Sequence, residues 1–133
     1  MLTLKKSHLD SIIEHCKKEH PFEACGLLVG NNTEVEEVFA MSNVKKSKTE
    51  YLVEPKEQFK VFEKMRMEKK ELLLGIYHSH PVTGAYPSSR DKSMAFYPQA
   101  SYVIVSLQNF SRPEVSSFKI KEGKILKEKI NIV

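Results

Sequence analysis

His78 and His80 are separated by one residue, and Asp91 follows after a loop containing Pro81, Gly84 and Pro87. Two imidazoles and a carboxylate form the donor set of a divalent metal centre. On a strand, side chains two apart share a face with Cα atoms ~6.6 Å apart. Both rings can then reach one zinc with Zn–N bonds of ~2.0–2.1 Å. Two histidines and one carboxylate leave the fourth tetrahedral position to water, which is the pattern of catalytic zinc. Each part also has a plainer reading. A His-x-His pair can be two strand-end residues facing solvent. Ser88 and Asp91, after Pro87, also form a capping box, with Ser88 as N-cap and Asp91 three residues on.

A metal-activated water needs a base to take its proton. The helical His-Glu-x-x-His solution is absent, and so is the deaminase pattern of His-x-Glu with Pro-Cys-x-x-Cys. The candidate is Glu23, a lone carboxylate in PFEACGLLVG, which reads as a buried strand. A charge in such a segment is costly unless it is paired or belongs to a site. Its other reading is a solvent-facing residue at a strand start beside Pro21. Cys25, on the same strand face as Glu23, reads as a small packing residue.

These groups need elements to hold them. Leu9, Ile12, Ile13 and Cys16 recur at helical spacing, predicting an amphipathic helix from about Thr3 to His20 that ends at Pro21. Strands are expected over PFEACGLLVG, Val35 to Met41, and briefly Tyr51 to Val53. Pro55 opens a helix as an N1 proline, with Phe59, Phe62 and Met65 on its apolar face. ELLLGIYHSH reads as a strong strand ending in the histidines, Ser88 to about Phe96 as a short helix, and SYVIVSL as a buried strand. Val115 to Lys121 and Lys124 to Ile132 around Glu-Gly form a hairpin. The class is α/β or α+β, one domain over residues 1–133 with a central mixed sheet flanked by helices. The sheet order is not recoverable from pattern.

Composition narrows the function classes. A chain of 133 residues is long enough to bury a core without staples. Two cysteines are too few for a disulfide scaffold or a four-thiolate zinc site. No apolar run approaches the ~20 residues of a membrane span, and MLTLKKSHLD lacks the apolar core of a secretory signal, so a cytoplasmic location is expected. Net charge is +4, but the lysines fall in small groups interrupted by acids. That pattern is a solvated surface more than a nucleic-acid groove, and it suits an acidic protein partner.

With these residues on the page, the chain resembles the JAMM (MPN-plus) zinc metalloproteases. Their pattern is Glu, then His-(Ser/Thr)-His, seven residues, Ser, two residues, Asp. Here it reads Glu23, His78-Ser79-His80, Pro81 to Pro87, Ser88, Ser89-Arg90, Asp91, with every spacing kept. PFEACGLLVG and YHSHP also look like the family's flanks. The resemblance implies a cytidine-deaminase-like JAMM/MPN fold, one zinc ion per chain with its water, and His78, His80 and Asp91 as ligands. It implies Glu23 as general base and then acid to the leaving amine, and Ser88 as donor to the oxyanion. Ser79 is expected to be structural, pointing to the other strand face. The implied activity is metalloprotease or isopeptidase cleavage after the C-terminal tail of a ubiquitin-like protein. Only a strand region and one helix lie between Glu23 and His78, so the long insertions that grip a distal ubiquitin have no room. A ubiquitin-like sulfur carrier is the favoured partner, neither nucleic acid nor membrane is expected, and a homodimer is left open. The rivals are a metal-free MPN scaffold that only binds partners, and a zinc deaminase-like hydrolase.

Overall fold

The computed structural model describes residues 1–69 and 72–133. Its strands are β1 (Leu2–Leu4), β2 (Cys25–Asn31), β3 (Glu34–Met41), β4 (Leu72–His80), β5 (Ser101–Ser106), β6 (Glu114–Lys121), β7 (Lys124–Glu128) and β8 (Ile130–Ile132). The helices are α1 (Lys6–Glu19), α2 (Pro55–Glu68) and α3 (Ser89–Ser93). All eight strands form one mixed sheet in the order β7-β6-β5-β4-β2-β3-β1-β8. The β4–β5, β1–β3 and β1–β8 pairs are parallel and the rest antiparallel. The expected α+β class with a central mixed sheet is what the chain adopts. Among the described residues no helix is long and apolar enough to cross a membrane.

The two core faces explain why β4 and β5 read as near-continuous apolar runs. A strand covered on both faces has no solvent side to mark with polar residues. On one face Ile12 and Cys16 of α1 pack over Leu28, Tyr77, Val103 and Val105. On the other, Val61 of α2 joins Leu27, Ile76, Ile104 and Phe118. Tyr77 is fully buried, and a Cβ on Gly26 of the adjacent strand would overlap its ring, so glycine is required there.

Five expectations are corrected. The chain opens with strand β1 before α1 begins at Lys6, because Leu2 and Leu4 are buried on the sheet beside β8 and β3. Strand β2 starts at Cys25, so Glu23 sits in the irregular segment ahead of it and strand alternation does not relate Glu23 to Cys25. Tyr51 to Val53 is no strand but a single bridge of Val53 to Asn43. Lys124 to Ile132 is two strands: β7 pairs with β6, whereas β8 pairs with β1 at the opposite end of the strand order. Only Lys129 separates them, so the sheet must curl until its two ends meet. The ion pair of the Met1 amino group with Glu128 Oε1, at 3.0 Å, lies on that seam. The face of α2 also differs in part, since Phe59 is 62% exposed and Val61 is the buried residue. Glu71, the expected first residue of the β4 strand, lies outside the described residues.

Candidate metal centre

β4 runs through the middle of the sheet and delivers His78 and His80 at its C-terminal end. They stand on the α2 face, 1% and 4% exposed. The loop after His80 returns the chain to α3, whose N-cap is Ser88. The capping box forms as expected: Asp91 N–H donates to Ser88 Oγ at 3.0 Å, and Ser88 N–H donates to Asp91 Oδ2 at 2.9 Å. The same box aims the Asp91 carboxylate at the histidines. Asp91 Oδ2 lies 2.9 Å from His80 Nε2 and 3.1 Å from His78 Nε2, and the two Nε2 atoms are 3.1 Å apart.

That triangle is the geometry a tetrahedral zinc requires. Bonds of ~2.0–2.1 Å at tetrahedral angles place neighbouring donors about 3.3 Å apart, a few tenths of an ångström wider than observed. Proton bookkeeping points the same way. His80 Nδ1 is 2.9 Å from the Gly84 carbonyl and must donate to it, so in the neutral ring Nε2 carries only a lone pair. Two imidazole nitrogens and a carboxylate oxygen then converge in a buried place, and they need either protons or a cation between them. Among the described residues this is the group of ligating side chains that could hold a metal ion.

The electrostatics follow from that crowding. Burial lowers the pKa of His78 against the pull of Asp91. For His80 burial also acts downward, but its hydrogen bonds to Asp91 and the Gly84 carbonyl outweigh it and the net shift is upward. The Asp91 carboxyl is held well below the usual range by the two histidines and the Ser88 amide, against its burial. Tyr51 stacks on His78 with centroids 4.5 Å apart and planes at 24°, shielding the ring from solvent.

Glu23 is 4% exposed, and its Oε1 has no hydrogen-bond partner among the described residues. Burial, above all, pushes its carboxyl up to about 8, while His80 pulls in the opposite direction. Its orphaned carboxyl oxygen is buried and lies within the electrostatic influence of His80. The structure thus gathers His78, His80 and Asp91, sets Ser88 against Asp91, and brings Glu23 within electrostatic reach. Tyr51 and Gly84 were expected only as a strand residue and a loop residue, without a part in the site. A tyrosine in a loop and a glycine acting through its carbonyl carry no pattern of their own. Cys25 is buried in the core as expected.

Fold and site together define a peptidase of the JAMM class. A family described as prokaryotic homologs of the JAB domain matches residues 5–121. The chain is 36% identical over 135 residues to the CysO-cysteine peptidase of Mycobacterium tuberculosis, covering all of this chain and 92% of that protein. It is also 36% identical over 124 residues to a Thermus thermophilus protein named "Probable TtuB-protein conjugate cleaving protease", covering 92% of this chain and 78% of that one. The solution structure of a Desulfitobacterium hafniense protein superposes with a TM-score of 0.90 at 36% identity, over 100% of this chain and 93% of the other. The chain belongs to the prokaryotic JAB (JAMM) family, and it is an enzyme of that type.

Proposed function

We propose that this chain is a zinc-dependent isopeptidase that hydrolyses the bond following the C-terminal tail of a ubiquitin-like protein, with a sulfur carrier as the favoured substrate. The observation that carries the reading is the buried triangle of His78 Nε2, His80 Nε2 and Asp91 Oδ2, together with a Glu23 whose Oε1 has no hydrogen-bond partner among the described residues. Zinc bound there would supply a water acidified toward neutrality and a Lewis acid for the scissile carbonyl. The residues of the chain supply the rest. Glu23 takes the proton of the attacking water, whose oxygen bonds to the carbonyl carbon. The Ser88 hydroxyl, which accepts from Asp91 N–H and so keeps its own proton free, donates to the developing oxyanion. Glu23 then returns the proton to the departing amine as the C–N bond breaks.

Two clefts suit a bond with chain on both sides. One of about 350 Å³ lies beside Glu23 and is lined by Phe22, Met41 and Lys46. The other, about 150 Å³ and mainly apolar, lies beside Tyr51 and is lined by Leu52, Met94 and Phe96. The substrate class is drawn from the relatives named for CysO-cysteine and for TtuB-protein conjugates. The test is metal analysis of purified protein. About one zinc per chain is expected, with His80→Ala losing it; a wild type that stays metal-free after reconstitution with zinc refutes the reading.

A further inference from the structure

Glu23 poses a positioning problem. Its side-chain oxygen Oε1 has no partner among the described residues, and backbone bonds hold the residue on either side. Glu23 N–H donates to the Ser47 carbonyl at 2.8 Å, and Asn43 Nδ2 donates to the Glu23 carbonyl at 3.0 Å. Both of those partners belong to the segment after β3, which carries none of the metal-ligating side chains. The next residue, Ala24, is tied to the ligand strand itself. Ser79 N–H donates to Ala24 O at 3.1 Å, and Ala24 N–H donates to Ser79 Oγ at 2.8 Å. Ser79 stands between His78 and His80, wholly buried, on the strand face opposite theirs. There it also meets the Cys16 thiol of α1, to which its remaining proton can be given.

We propose that Ser79 is a positioning residue: its hydroxyl clasps the Ala24 amide and so fixes the Glu23 carboxylate relative to the His78–His80 pair. The clasp is short in every direction. Ser79 adjoins each histidine in the chain, and its partner amide is the peptide that joins Glu23 to Ala24. An error at Ala24 therefore passes directly to the base, and a displacement of about 1 Å at a reacting group costs on the order of 10²-fold in rate. The main-chain bond from Ser79 N–H survives any side-chain change, so removing the hydroxyl loosens the segment without detaching it. This inference rests on the role of Glu23 proposed above.

The experiment compares Ser79→Ala, Ser79→Thr and Cys16→Ala with wild type. Amide hydrogen exchange at Ala24 is read on the metal-free protein, and kcat, KM and zinc content on the loaded one. Ser79→Ala is expected to bind zinc as wild type does and to exchange Ala24 at least about tenfold faster. Its kcat should fall about 10- to 100-fold with KM within about twofold. Ser79→Thr keeps an oxygen and should restore both protection and kcat. Cys16→Ala disturbs packing on the same face but leaves the hydroxyl, and should keep both. Where Ala lowers the folded fraction, Ser79→Cys, close in volume and a weak acceptor, is read in the same way. Unchanged Ala24 protection in Ser79→Ala, a kcat loss that merely tracks zinc loss, or an equal loss in Cys16→Ala overturns the proposal. If wild type cleaves no carrier conjugate, the proposed activity fails. Exchange at Ala24 and the Glu23 position in metal-free crystals of Ser79→Ala still decide the clasp.

Discussion

Asp91 and Ser88 hold each other. Asp91 Oδ2 accepts the Ser88 amide at 2.9 Å while Ser88 Oγ accepts the Asp91 amide at 3.0 Å. The same Asp91 oxygen faces both histidine Nε2 atoms. One capping box thus orients the carboxylate that faces the histidines together with the Ser88 hydroxyl, and a loss at either residue can be separated into folding and chemistry.

Replacing Ser88 by Ala removes both uses of its hydroxyl. Loss of an N-cap costs about 1 kcal/mol, whereas loss of an oxyanion donor costs about 10²–10³ in kcat. Ser88→Asn restores a capping oxygen, so it should recover most of the melting temperature but little of the kcat. Steady-state kinetics beside thermal melts separates the two. Parallel recovery of both would remove Ser88 from the chemistry.

For Asp91, Asn keeps an oxygen that can accept the Ser88 amide but removes the charge facing the histidines. Zinc affinity, measured by competition with a chromogenic chelator, should fall by orders of magnitude in Asp91→Asn, with the helical signal in circular dichroism retained. Asp91→Ala should lose both zinc and α3 capping.

Glu23 yields a pH prediction in the metal-free protein. Its folded pKa is raised from 4.5 to about 8, chiefly by burial. Below pH 4.5 both folded and unfolded chains hold the proton. Between there and about pH 8 the unfolded chain releases it first, so stability falls as pH rises. Glu23→Gln has no such proton to lose. Its melting temperature should therefore exceed that of metal-free wild type by a margin that grows from pH 4.5 to 8 and then levels. The zinc-loaded variant should keep its metal and lose hydrolysis by orders of magnitude.

Glu128 has the opposite sign. Burial acts upward on its carboxyl, but bonds from Ser101, Ser117 and the amino terminus outweigh it and the net shift is downward. Ser117 Oγ donates to it at 2.8 Å. A depressed carboxylate stabilises the fold above its unfolded pKa and loses that contribution as pH falls. Glu128→Gln should melt lower than wild type at pH 7, and melts recorded down the acid limb should converge. Because Glu128 lies on the seam where the curled sheet meets itself, a constant difference across pH would assign its effect to packing.

The group of His78, His80 and Asp91 was legible because one strand end and one helix cap carry all three, so local spacing encodes their geometry. Glu23 was legible by residue type, as a carboxylate in an apolar setting. Its place ahead of the strand was not, because PFEA and CGLLVG run together without a break in hydropathy. β1 has three residues, too few to show a period beside the strong helical repeat that follows. The split of Lys124 to Ile132 between two sheet ends depends on which neighbours β7 and β8 find, and alternation along a strand says nothing of that. Ser79 was expected to be structural and to face away from the histidines. Its bond to Ala24 joins segments 55 residues apart, which no local pattern announces.

The decisive measurement of the proposed activity is mass spectrometry of a ubiquitin-like sulfur carrier, extended by an amino acid or a protein past its Gly-Gly tail, after incubation with the zinc-loaded enzyme. Cleavage immediately after Gly-Gly, abolished by a chelator and restored by zinc, is the predicted result. An intact panel of such carriers alongside cleaved unrelated peptides, or cleavage that survives removal of the metal, would contradict it.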